Sequence, residues 1–237
     1  MASSCNCTKC NDGLCMHKVP IFSSLDKEDL EKIVELIQHR NYEKGETLLF
    51  EGDRMDAVTI INEGSVKAYK NTADGREQIL YVFSEGDFYG EQNLFGNQIA
   101  TYSVEALMPV KTCNLSRKHF QKLLYHFPEI SVKIIDELGG RMTRLEYALQ
   151  SIGVRNVDNR IGSILLEFAE KYGIKDGTDT IIHLPLSREG IANYLGVARE
   201  TVSRKFSQLE NEGLLYSINN KEILIPDMDK IQALAGN

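Results

Sequence analysis

The stretch LPLSREGIANYLGVARETVSRKFSQLENEGLLYSINNKEILIP, residues 184–226, holds two short apolar-periodic segments split by a glycine. Ser187 is placed to cap the first by accepting backbone N–H bonds, and Gly196 breaks it. A second helix is predicted from Arg199 to Glu212, before Gly213 ends it. Ile191, Leu195, Val197, Val202, Phe206 and Leu209 supply the apolar contacts between the two, which is helix-turn-helix spacing. The following LLYSINNKEILI gives two strands around Asn219-Asn220, where Asn tolerates positive φ, so a small wing is expected. A further helix from about Asn159 to Tyr172 precedes the motif.

Upstream again, Ile135, Leu138, Met142, Leu145, Leu149 and Ile152 recur in alternating steps of three and four residues. This is the a/d seam of a parallel dimer helix beginning after Pro128. Before Pro128 the pattern changes to short apolar runs, with Gly52, Gly64, Gly75 and Gly86 at near-regular intervals. Such spacing predicts an antiparallel barrel or sandwich. An amphipathic helix from about Lys27 to His39, with Leu30, Ile33, Val34 and Ile37 on one face, is expected in front of it.

At 237 residues the chain has room for two domains, each with its own core. No apolar run reaches the length of a membrane span, and the N-terminus lacks a secretory pattern, so a cytoplasmic protein is expected. The net charge of -7 excludes a whole-protein polycation, so any nucleic acid must meet a local patch. Four of five cysteines crowd into CNCTKCNDGLC, residues 5–15, and the fifth is Cys113. In a reducing compartment such a cluster points to metal ligation or a redox switch rather than to structural bridges.

Three stretches carry a family resemblance: CTKCNDGLC together with Cys113 in EALMPVKTCNLS, EQILYVFSEGDFYGEQ, and YLGVARETVSRKFSQLENEGLL. With them the chain resembles the CRP/FNR family of bacterial transcription regulators along essentially its whole length, and the FNR branch fits best. The resemblance implies an α+β chain: an N-terminal β-roll of the jelly-roll-like cyclic-nucleotide-binding fold, a long dimerisation helix and a C-terminal winged helix-turn-helix. The expected domains are a cysteine-rich segment 1–18, a β-roll 19–128, a dimer helix 129–157 and a DNA-binding domain 158–237. The partners it implies are a second copy of the chain, a palindromic double-stranded DNA operator with TTGAT-like half-sites, and RNA polymerase, for which loops 71–77 and 92–96 are candidate contacts.

In FNR-type members an E-x-x-S-R pattern reads the major groove, and Glu200, Ser203 and Arg204 occupy it here. Arg can donate two bonds to guanine O6 and N7, Glu accepts from cytosine N4, and Ser suits either. Arg199, Thr201, Lys205 and Ser187 are expected at phosphates. Cyclic-nucleotide-binding relatives follow a Gly-Glu pair with an arginine for the phosphate. This chain has Gly90-Glu91 but then Ile99-Ala100-Thr101, with no Lys, Arg or His between Glu77 and Val110, so no cyclic nucleotide is expected.

The resemblance also implies a [4Fe-4S] cluster held by three N-terminal cysteines and one from the β-roll. Cys7, Cys10, Cys15 and Cys113 fit that role, with one residue fewer between Cys10 and Cys15 than the family pattern; Cys5 is an alternative ligand. A thiol–disulfide switch between an N-terminal cysteine and Cys113, or structural zinc, uses the same residues. Where the family's best-known form has a repelling carboxylate in the dimer helix, this chain has Leu145, so a dimer that persists without the cluster is expected. No nucleophile–base pair, dinucleotide fingerprint or H-E-x-x-H motif supports a redox enzyme with a DNA-binding module, so no enzymatic activity is expected.

Overall fold

A computed structural model describes residues 19–23, 25–94, 96, 99–154 and 157–236, with backbone only at 31, 93, 144 and 147–154. The N-terminal Cys5, Cys7, Cys10 and Cys15 lie outside these, as do the side chains of Leu149 and Ile152. No described helix is long and apolar enough to cross a membrane.

Each expected glycine turn is real: Gly52, Gly64, Gly75 and Gly86 all adopt positive φ, between 79° and 91°, where only glycine is unstrained. At Gly64 a Cβ would also lie 2.4 Å from the Pro109 carbonyl oxygen. These turns join β1 (Gln38–Tyr42), β2 (Thr47–Leu49), β3 (Ala57–Glu63), β4 (Ser65–Asn71), β5 (Glu77–Ser84), β6 (Phe88–Tyr89), β7 (Ser103–Ala106) and β8 (Val110–Ser116). They form two four-stranded sheets, ordered β1-β8-β3-β6 and β2-β7-β4-β5, which make up the β-roll.

Helix α1 (Lys27–Val34) is shorter than expected. Its last turn closes by Ile37 N–H donating to Val34 O, and the chain then enters β1, whose pairing with β8 takes Gln38 to Tyr42 out of helix. Helix α2 (Arg117–His126) lies inside the span expected to be all strand and turn; Ser116 caps it by accepting from His119 N–H. Helix α3 (Pro128–Val154) is the long helix. Its Ile130 and Ile134 are buried in a cluster with Leu30, Ile33, Phe120, Ile60 and Leu115, so helices cover one face of the β1-β8-β3-β6 sheet. The opposite stripe of α3, Val132, Ile135, Met142 and Leu145, is 46–68% exposed, with Leu138 at its margin.

The C-terminal part contains α4 (Val157–Tyr172), a hairpin of β9 (Gly173–Asp176) and β10 (Asp179–His183), then α5 (Arg188–Leu195) and α6 (Arg199–Asn211). The wing strands β11 (Tyr216–Asn219) and β12 (Glu222–Ile225) and the terminal α7 (Met228–Ala235) complete it. Its sheet runs β11-β12-β10-β9. Gly162 lets α4 approach α7 closely, since a Cβ there would meet Ala235 N at 2.7 Å. Contacts divide the chain into two compact units, one built from residues up to Lys70 with Tyr81–Met142, the other from Asn71–Leu80 with Thr143 onward.

Candidate functional site

The helix-turn-helix follows directly from local sequence. Ser187 Oγ accepts from Gly190 N–H at 3.1 Å and starts α5, and Gly196, at φ 64°, ends it in the left-handed conformation. Val202, Phe206 and Leu209 of α6 are buried against the domain core. The opposite face then presents Glu200, Ser203 and Arg204, all exposed, with Arg199 at the first turn. None of these four side chains has a hydrogen-bond or ion-pair partner among the described residues, so their polar groups are free of the rest of the described chain.

Lys205, expected at a phosphate, is placed differently. Its Nζ lies 2.7 Å from Asp158 of α4 and 3.1 Å from Gln208 Oε1, and its side chain is mostly buried. One residue past Arg204 is about 100° further round the helix, which turns Lys205 toward its own domain. Thr201 is half-buried, and Ser187 serves as a cap while staying exposed.

Arg188, which the sequence did not single out, fixes the motif to its wing. Its guanidinium stacks 3.5 Å from the Phe206 ring centroid and donates to Ser217 Oγ at 3.1 Å, while Ser217 N–H donates to Glu210. Burial pushes Arg188 down to about 10, against the pull of Glu210, so it stays charged at neutral pH. Its first turn position after a cap is the only signal the sequence offered.

In the roll, the side chains of β8 alternate. Cys113 and Leu115 join the core under the helices, and Thr112 and Asn114 face the other way. Cys113 is 1% exposed, and its Sγ lies 3.5 Å from His39 Nδ1 on the paired strand β1. Burial holds the His39 imidazole below its usual value, which favours the neutral ring. Val19 belongs to the same core cluster as Cys113. A soft sulfur donor is thus buried in the cluster that also includes the first described residue.

Glu91, the residue of the Gly-Glu pair, meets a cation that local reading could not find. Arg141 of α3 reaches it at 2.7 Å, donates to Phe88 O at 2.7 Å and pairs with Glu137 at 3.2 Å. The guanidinium also packs against the rings of Phe83 and Phe88. Burial raises the Glu91 carboxyl above its usual range, outweighing the pull of Arg141, and Glu91 Oε2 has no partner among the described residues.

Residues 39–126 match the cyclic nucleotide-binding domain family, and residues 159–234 match the Crp-like helix-turn-helix domain family. The nitrogen fixation regulation protein FixK of Bradyrhizobium diazoefficiens is 32% identical over 216 residues, covering 91% of this chain and 89% of that protein. The transcriptional activator protein FnrL of Cereibacter sphaeroides is 26% identical, over 97% of this chain and 92% of its own length. The structure of FixK2 from Bradyrhizobium japonicum superimposes with a TM-score of 0.74 at 25% identity, over 84% of this chain and 96% of that one. These relatives are transcriptional regulators, not enzymes. With a β-roll, a long helix and an exposed recognition face in the same order, this chain belongs to the CRP/FNR family of DNA-binding transcription regulators.

Proposed function

We propose that this regulator senses oxygen or redox state through a [4Fe-4S] cluster ligated by Cys113 and three of its N-terminal cysteines, and that it reads a TTGAT-type palindrome as a dimer. The observation that carries the proposal is the placement of Cys113, buried on the face of β8 that shares a core with Val19. Cys15 precedes Val19 by four residues, a reach of at most about 14 Å. When bound, such a cluster supplies oxygen-sensitive redox chemistry. The chain's own part is to present thiols from two places, so that ligation ties residues 5–15 to the roll. This biases DNA binding only as far as affinity differs between the two states of the dimer.

The exposed stripe Val132, Ile135, Met142 and Leu145 supports the dimer. Met142→Glu is expected to give a monomer by sedimentation and to weaken operator binding about 100-fold or more, through loss of bivalency. The protein without a cluster is expected to remain dimeric, because Leu145 puts an apolar side chain in the seam.

Base reading is tested at Arg204. Arg204→Ala is expected to cost about 1–3 kcal/mol on the cognate palindrome and to relax preference at one base pair. Equal weakening on every DNA sequence would make Arg204 a phosphate contact instead.

A second reading has its own observation. His39 Nδ1 lies 3.5 Å from Cys113 Sγ and, in the tautomer protonated at Nε2, accepts the thiol proton, which suits a disulfide with an N-terminal cysteine. Peroxide would take two electrons and two protons from the thiol pair. Metal-free protein that loses two thiols on oxidation, and regains DNA binding with reductant, would select this reading.

A further inference from the structure

A cavity of about 520 Å³ opens between the two sheets of the roll, on the face of β8 opposite Cys113. Its floor is a polar row across one sheet: Gln38 of β1 is in register with Asn114 of β8, Asn114 with Thr59 of β3, and Thr59 with Tyr89 of β6. The row is internally bonded, since Thr59 Oγ1 donates to Asn114 Oδ1 at 2.7 Å and Asn114 Nδ2 donates to Gln38 O at 3.3 Å. Thr59 and Tyr89 are 7% and 2% exposed. The inner face of a two-sheet roll is ordinarily apolar, and burying hydroxyls there costs stability even when they are paired.

The charges around the cavity are unequally satisfied. Among the described residues, Arg40 and Arg54, both lining it, have no carboxylate or carbonyl partner for their guanidiniums. Of the two acids in the lining, Asp53 already accepts from Phe50 N–H at 3.2 Å within its own turn, while the exposed Asp56 carboxylate has no partner among the described residues, so the free cations outnumber the free acid two to one. His119, near the start of α2, adds a donor, and Leu48 and Leu49 of the facing sheet supply an apolar wall. Two exposed guanidiniums in the same lining as a pre-bonded hydroxyl and amide floor, in a volume typical of small-molecule pockets, match an anionic head carried on a small organic body. Glu91 and Thr101, which mark the cyclic-nucleotide position in the family resemblance, are not in the lining.

We propose that this cavity is an effector site for a small organic anion, a carboxylate or phosphate ester, with Arg40 and Arg54 as the anion clamp and the Thr59–Asn114 row as its hydrogen-bonding floor. The site does not depend on the cysteines, so it stands or falls separately from the sensor reading.

The test is calorimetric titration of the full-length protein with succinate and, separately, with glycerol 3-phosphate. One of the two is expected to bind saturably, one per chain, and which one does so assigns the anion class. Arg40→Gln and Arg54→Gln are each expected to weaken that binding at least about tenfold, the loss of roughly one charge-assisted contact, while iron content and operator binding stay as in the parent. No saturable binding of either probe up to about 10 mM, roughly tenfold above a millimolar dissociation constant, would overturn the proposal. Binding that both substitutions leave unchanged would overturn it too.

Discussion

Arg141→Met is expected to destabilise the protein by about 3–5 kcal/mol, because it leaves the Glu91 carboxylate buried without its cation. In a unit of this size that corresponds to a melting temperature lower by about 10 °C. Methionine keeps the apolar stem but loses the guanidinium that packs on the Phe83 and Phe88 rings and donates to Phe88 O, so the charge part of the loss is isolated by a second change. Adding Glu91→Gln to that variant is expected to recover a large part of the deficit, since no uncompensated charge then remains buried. The pH dependence has a definite sign. Burial raises the Glu91 carboxyl in the folded state, so the folded protein holds its proton at pH values where the unfolded chain has released it. The contribution of this group to stability therefore falls as pH rises through that window. Removing Arg141 widens the window, so the deficit measured by urea unfolding should be smaller near about pH 5 than near about pH 7. A deficit independent of pH and of residue 91 would mean that Arg141 acts through packing alone.

Cys113→Ala is expected to abolish cluster assembly altogether and to leave DNA binding equally strong with and without air. Its structural cost is small, about 1 kcal/mol, because one sulfur atom is lost from a core that holds many larger side chains. Iron content, circular dichroism and operator retention measured on the same preparation separate the two effects. Normal iron in this variant would place the fourth ligand elsewhere.

The parts of this molecule legible in the sequence are those set by neighbours along the chain. Ser187, Gly196 and Gly213 announce the helix boundaries of the DNA-binding motif, and the structure uses them as caps and stops. The turn glycines of the roll are likewise local, because positive φ is a property of one residue. The hairpin β9–β10 has no local signal beyond Gly177, which turns it at φ 64°: its outer strand, GIKD, is exposed throughout and shows no alternation. Helix α1 ends before its apolar spacing does: the spacing continues to Ile37, while strand pairing of His39 with Cys113 decides where helix must end.

Functional details fell on the same divide. Glu200, Ser203 and Arg204 share a helix face and could be read from spacing, whereas the diversion of Lys205 to Asp158 depends on a helix 47 residues earlier. The pairing of Glu91 with Arg141 spans 50 residues, and the polar row from Gln38 to Tyr89 exists only once four strands are in register. Burial of Cys113 in the core cluster that also holds Val19 is of this second kind too, and the proposed cluster rests on it.

The most direct test of that meeting is the iron and acid-labile sulfide content of protein purified without oxygen, read with its visible spectrum before and after air. Iron and sulfide in equal amounts, near about four per chain, with a brown absorption that air bleaches, is the predicted result. Colourless protein free of iron, or protein carrying zinc alone, would contradict it.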